Sequence, residues 1–241
     1  MVLPKFSPLR AIGSLLYPPV CAICSANVAT GEYLCRDCET KIPRITAPFC
    51  AKCSEPFDGA ITTVFECANC AHRELYFDAA VSAVRSRGIV RRIILDFKYG
   101  KHMHLRHLVV RWLVAALDDH RLSGRPFDLI VPVPLHPARQ RERGFNQAAL
   151  LAESLSARMS IPVRPALART RYTTTQTAFD RVERMENLHG AFRLRKNVDV
   201  RQLHVLLIDD VLTTGSTLSE CARVLKKAGA ATVHAATAAR A

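Results

Sequence analysis

From about residue 76 onward, short apolar runs alternate with stretches whose apolar residues recur at helical spacing. FDAAVSAVRS (77–86), FDLIVPVPL (127–135), VLLIDD (205–210) and TVHAATAA (232–239) read as strands. IVRRIILDFKYG (89–100), HLVVRWLVAALDD (107–119), GFNQAALLAESLSARM (144–159) and TLSECARVLKKAG (217–229) read as helices, the last closed by Gly229. Continuous apolar strands separated by helices predict βαβ units, in which a parallel sheet is covered on both faces. The predicted class is α/β, a mostly parallel sheet flanked by helices over residues 76–241, behind a small N-terminal domain at 1–75. Cys221 shares one helix face with Leu218, Ala222 and Leu225, so it reads as a buried core thiol.

Residues 1–75 follow neither period and are poor in large apolar groups. Eight of the nine cysteines lie here as four CxxC pairs: Cys21/Cys24, Cys35/Cys38, Cys50/Cys53 and Cys67/Cys70. Two-residue spacing lets both thiolates face one tetrahedral ion, and a second pair completes the site. Two structural Zn²⁺ ions are expected, because four thiolates leave no open coordination position. Sequential pairing gives two ribbons and interleaved pairing a cross-braced domain; the spacing permits both, and the first is preferred. Disulfides and a thioredoxin-like redox role are the competing chemistries. The segment MVLPKFSPLRAIGSLLYPPVC lacks a small-residue cleavage site, and no run reaches the length of a membrane span. A cytoplasmic, reducing location is therefore expected, which favours metal.

Charge divides the chain unevenly. Residues 1–75 carry seven Lys/Arg and seven Asp/Glu, so residues 76–241, with 27 basic and 14 acidic side chains, hold the whole formal excess of +13. A basic body suits nucleic acid or small polyphosphates, and a solvated surface equally well. Composition does not choose among them.

The chemistry concentrates where VLLIDD ends. Asp209 and Asp210 close an apolar strand, and Thr213, Thr214, Gly215, Ser216 and Thr217 lead into a helix N-terminus. Ligands of parallel sheets sit beyond the carboxyl ends of the strands. The helix end favours an anion, four hydroxyls add donors, and Gly215 allows close backbone approach. No GKS or GKT follows, so this is not a nucleoside-triphosphate loop. Carboxylates beside a phosphate nest suit a sugar phosphate.

This stretch resembles the 5-phosphoribosyl-1-pyrophosphate (PRPP) motif of type I phosphoribosyltransferases. The cysteine pairs, FKYGKH, IVPVPLHPARQRERGFNQAALLAESL, TQTAFDRVERMENLHGAF and the PRPP-like loop also stand in the order of the competence protein F (ComF) family, across nearly the whole chain. The resemblance implies that Asp209 and Asp210 hold the ribose hydroxyls, that Thr213 to Thr217 hold the 5-phosphate, and that Mg²⁺ arrives mainly through the ligand and water. It likens the PVPLH turn, with Leu135 and His136, to the pyrophosphate loop. Arg139 and Arg143 are then the expected partners of the leaving group, with Arg141 a solvated neighbour and Lys98 a further cation. His102, His104 and His107 lack carboxylates and are poorly spaced for metal. Residues 172–192 would form a hood carrying Gln176, Arg181, Arg184 and Asn187. Here the family wording has a glycine soon after the glutamine, whereas this chain reads Gln176-Thr177-Ala178-Phe179.

A transferase of this kind expels pyrophosphate from an oxocarbenium-like centre, by positioning and charge stabilisation. No residue announces a general base and no segment announces a base pocket, so the acceptor stays undefined. Two non-enzymatic readings remain open: a PRPP sensor, or a competence factor binding single-stranded DNA beside other DNA-uptake proteins. With aromatics at 7% of residues, phosphate contacts would dominate over base stacking.

Overall fold

The computed structural model describes residues 18–59, 61, 63–100, 102–172 and 188–241. The cysteine-rich segment holds one short helix, α1 (Arg36–Glu39). Behind it follow β1 (Ala80–Arg85), α2 (Gly88–Tyr99), a 3-10 turn at Met103–Leu105, α3 (Arg106–Leu117), β2 (Leu129–Pro132), α4 (Pro137–Arg143) and α5 (Gln147–Met159). β3 (Leu167–Arg169), β4 (Phe192–Leu194), β5 (His204–Leu212), α6 (Ser216–Lys227) and β6 (Thr232–Arg240) complete it. The main sheet runs β1-β6-β5-β2 with every pairing parallel, as the continuous apolar strands predicted. Among the described residues no helix is long and apolar enough to cross a membrane.

Alternation along β5 assigns its neighbours. Leu206 and Ile208 are buried with Val90, Ile93 and Phe97 of α2, Leu108 and Leu113 of α3 and Leu151 and Leu155 of α5. Val205 and Leu207 are buried on the other face with Leu218, Cys221 and Leu225 of α6. On α2 the buried set Val90, Ile93, Ile94 and Phe97 follows the i, i+3, i+4, i+7 stripe, with Arg91 and Arg92 exposed. Each fully buried side chain of this size contributes about 1.5–3 kcal/mol, so the two cores fix the sheet and everything it carries.

Several predicted boundaries shift: the strands expected over 77–86 and 127–135 shorten to β1 and β2. The helix expected from Gly144 starts at Gln147, because Gly144 adopts φ +82 and ends α4 while Asn146 caps α5. The last helix ends at Lys227, with Gly229 just beyond it at φ +96. β5 runs past Asp209 and Asp210 to Leu212, so the aspartates sit inside a paired strand rather than at its tip. The antiparallel β3–β4 ribbon has no sequence signal, since each strand is three residues long and its partner lies far along the chain.

The cysteine-rich segment shares the cores of the sheet. Cys21 and Cys38 are buried with Val81, Ile93 and Leu108, and Cys50, Cys53, Cys67 and Cys70 with Phe77, Leu129 and Leu207. Arg121 fastens the second part: it donates to Cys50 O (3.1 Å), Ala51 O (3.0 Å) and Ser54 Oγ (2.9 Å) and pairs with Asp119 (2.7 Å). Ser54 Oγ in turn donates to Ala80 O of β1 (3.1 Å), and Arg240 of β6 is ion-paired to Glu55.

Candidate functional site

Because β2 and β5 are parallel neighbours, the segments leaving their carboxyl ends lie at the same edge of the sheet. The pairing continues just past β2, where Val133 N–H donates to Ile208 O (2.9 Å). Asn146 braces the same end: its Nδ2 donates to Val133 O (3.0 Å) while its Oδ1 caps α5 at Ala148 N–H (3.0 Å). On the β5 side the chain turns at Gly215, the N-cap of α6, with φ +78. A Cβ there would meet only ordinary contacts with Phe77 and Leu212, so backbone conformation and not space selects glycine. Thr213 is exposed, Thr214 and Thr217 are half-buried and Ser216 is buried. Hydroxyls and the positive end of the helix dipole stand together here, a combination that favours anions, and Ser216 N–H donates to Thr214 Oγ1 (3.4 Å).

The two aspartates diverge. Successive strand residues face opposite sides of a sheet, and Asp210 meets Lys98 of α2, with Nζ 2.9 Å from Oδ2. That oxygen has no aligned hydrogen-bond donor, so charge holds the pair rather than a directed bond. Asp209 faces the α6 side, where its charge reaches Cys221 and Arg169. It keeps some open surface yet lies deep among protein atoms. Burial, then the charge of Asp210, pushes its carboxyl up to about 7, against a partial offset from Lys98. In the unfolded chain this carboxyl ionises near the usual 3.8, so the folded form holds the extra proton. Its contribution to stability is therefore fully present below about pH 4 and is lost as pH rises through about 7. Melting temperatures across that window should fall less steeply in Asp209→Asn than in the parent, and equal slopes would remove this assignment.

The arginine turn is ordered differently from a simple cationic cluster. His136 caps α4, its Nδ1 accepting from Ala138 N–H (3.2 Å), with half-buried Leu135 just before it. Tyr172 stands edge-on to His136 (centroids 5.1 Å apart), and Arg139 lies over the Tyr172 ring (5.7 Å). Arg143 instead turns to Tyr99, hydrogen-bonding its hydroxyl (2.8 Å) and covering its ring (4.7 Å). Arg141 is exposed. Lys98 is thus held by Asp210, and Arg143 by Tyr99, at the end of the same helix. Gln176, Arg181, Arg184 and Asn187 lie outside the described residues. His104 and His107 stack on Tyr33 (centroids 6.3 and 5.9 Å), which docks the first cysteine pairs.

The tetrads pair sequentially: Cys21, Cys24, Cys35 and Cys38 form one group and Cys50, Cys53, Cys67 and Cys70 the other, each with its sulfurs within 4.8 Å of one another. Cys24–Cys35 and Cys53–Cys67 sulfurs stand 3.6 Å apart without disulfides. A zinc tetrahedron with Zn–S near 2.3 Å needs about 3.8 Å between sulfurs, so both groups fit one structural zinc each. Cys67 N–H donates to Cys50 Sγ (3.3 Å), a bond that favours the thiolate. Hydrogen bonds from Cys53 and Cys70 hold the Cys50 thiol low, and the same contact with Cys50 pushes Cys53 up to about 12.

Sequence reasoning missed two groups. Arg169 of β3 lies over Phe192 (5.4 Å), and burial followed by the charge of Arg139 lowers its pKa while Asp209 partly restores it, so Arg139, Arg169 and Asp209 gather at one place. Asn69 and Arg73, beside Cys70, reach the loop at Thr214 and Ser216. Neither had a signal, because each contact joins segments far apart in sequence.

Two known protein domains match parts of the chain. The double zinc ribbon domain matches residues 12–72 and the phosphoribosyl transferase domain residues 146–241. The chain is 32% identical to competence protein F of Haemophilus influenzae over 87% of this chain and 91% of that protein. It is 32% identical to the DNA utilization protein YhgH of Escherichia coli O157:H7, over 91% and 96% respectively. Competence protein ComFC of Bacillus subtilis is 27% identical over 83% and 80%. At such identity across most of both sequences, the chain belongs to the competence protein F (ComF/ComFC) family.

Proposed function

We propose that the chain binds PRPP with Mg²⁺ beyond the carboxyl ends of β2 and β5, as a cytoplasmic phosphoribosyltransferase-like protein of DNA uptake and natural transformation. The observation that carries the binding half is a single strand, β5, which delivers two adjacent carboxylates directly into a hydroxyl-rich loop at a helix N-terminus. The DNA half is supported by the names of the relatives, which speak of competence and DNA utilization.

In this reading Thr213 to Thr217 take the 5-phosphate and Asp209 accepts a hydrogen bond from a ribose hydroxyl, while Asp210 is held by Lys98. Leu135, His136 and Arg139 face the pyrophosphate; Arg143 and Lys98 act from behind through Tyr99 and Asp210. Mg²⁺ would neutralise charge on the pyrophosphate. The aspartates offer no open all-protein cage for it, which suits an ion bound mainly through ligand oxygens and water. If transfer follows, the bond from the anomeric carbon to pyrophosphate breaks as one to the acceptor forms. Gln176, Arg181, Arg184 and Asn187 would cover the site from a segment that begins at Tyr172. The test is incubation with PRPP, Mg²⁺ and cell extract, following pyrophosphate release and the ribosylated product. PRPP binding without turnover would make the protein a sensor, and no PRPP binding would end this reading.

A second use of the chain, on single-stranded DNA, is favoured by the exposed Arg91 and Arg92 on the outer side of α2. Arg91→Ala with Arg92→Ala should weaken DNA binding and flatten its log–log salt slope by about 1.4, or roughly 0.7 for each phosphate no longer neutralised. PRPP affinity should stay nearly unchanged. Absence of DNA binding even at low salt would leave the positive excess as solvated surface plus a polyphosphate pocket.

A further inference from the structure

The knuckle of the second cysteine tetrad touches the loop assigned above to the 5-phosphate. Between Cys67 and Cys70 the backbone turns tightly, with Cys70 N–H and Ala71 N–H both donating to Cys67 O (2.8 Å each). That turn presents Asn69, whose Nδ2 donates to Thr214 O at 3.1 Å. Arg73 Nη1 donates to the same carbonyl (3.2 Å) and to both Asn69 oxygens (Oδ1 2.9 Å, O 3.0 Å). Its Nη2 reaches Ser216 Oγ at 3.2 Å. The amide and the guanidinium therefore clamp the loop together at Thr214 and Ser216.

Both the direction of the loop and its charge are affected. In a trans peptide the C=O and the following N–H point in opposite directions. Holding Thr214 O on the knuckle therefore aims Gly215 N–H the other way, toward the side a ligand would occupy. Gly215, at φ +78, is the residue at which this peptide could otherwise flip freely. A zinc ion with four thiolates carries a net charge of about −2, an adverse neighbour for a polyanion. Arg73 interposes a guanidinium between the tetrad and the loop. It also donates to Ser216 Oγ, so the hydroxyl pair Ser216–Thr214 (3.0 Å) keeps a proton to offer an anion.

We propose that Asn69 and Arg73 are positioning residues of the sugar-phosphate site, which makes the second zinc ribbon part of that site. This rests on the PRPP reading. The test is calorimetry on the full-length, zinc-loaded protein with three probes: PRPP with Mg²⁺, ribose 5-phosphate, and pyrophosphate with Mg²⁺. In Asn69→Ala with Arg73→Ala, affinity for the two sugar phosphates should fall roughly tenfold to a hundredfold, the range expected for removing hydrogen bonds from a charged group. Affinity for pyrophosphate should change less than twofold, with zinc still at two ions per chain. Arg73→Lys retains charge but cannot span both acceptors, so it should fall between parent and double variant. Should the double variant lose zinc, Asn69→Ala alone carries the same comparison, because it leaves the charge in place. Unchanged sugar-phosphate affinity, or an equal loss for pyrophosphate, would overturn the proposal while leaving PRPP binding intact. A parent protein that binds none of the three probes would instead overturn both readings.

Discussion

Asp209→Asn should lower PRPP affinity roughly tenfold, the range for losing one hydrogen-bond acceptor, and should leave the protein folded at neutral pH. Asparagine matches the shape of a carboxyl that already holds its proton up to about 7, so the core side of the strand loses little. Asp210→Asn behaves differently. Lys98 lies only 18% exposed beside a carboxylate 4% exposed, and removal of the anion strands a largely buried ammonium. Breaking such a pair costs about 3 kcal/mol, which should appear as a lower melting temperature as well as weaker binding. Adding Lys98→Met should restore the stability of Asp210→Asn but not its affinity. Calorimetry and thermal melting on these variants separate the two effects. Unchanged PRPP affinity in Asp209→Asn with Asp210→Asn would dismiss the β5 carboxylates as ligands.

Loss of the second zinc should unfold the protein as a whole. Cys50, Cys53, Cys67 and Cys70 pack in one apolar cluster with Phe77, Leu129, Leu207 and Leu218, and Arg121 and Ser54 bind their backbone to the sheet side. Cys53→Ser should therefore lower the melting temperature of the whole chain by more than about 10 °C, since structural zinc contributes several kcal/mol and each kcal/mol shifts a domain of this size by roughly 2–4 °C. Cys24→Ser, in a tetrad whose Cys24 is exposed, should lose one zinc ion with a smaller shift. Metal content and melting curves under reducing conditions check both. A Cys53→Ser protein that lacks one zinc and melts like the parent would show the ribbon to be an ornament on an independent sheet.

The sequence alone determined the elements and the chemistry that each could carry. Continuous apolar runs and 3.6-residue patterns are local, so β1, β2, β5, β6 and the long helices were legible, as were the CxxC knuckles and the run from Asp209 to Thr217. Those features depend on residues a few positions apart, where chain connectivity fixes geometry. What only the tertiary structure decided are relations across the chain. Sheet order set the PVPLH turn beside the β5 loop, and strand alternation sent Asp210 to Lys98 and Asp209 to the α6 side. Arg143 went to Tyr99 rather than to the anion site, and Asn69 and Arg73 reached Thr214 and Ser216 across more than 140 positions. Such contacts leave no trace in local spacing. They arise because a buried polar group must take whatever partner packing brings within reach, and packing is settled by the assembled sheet and its two cores.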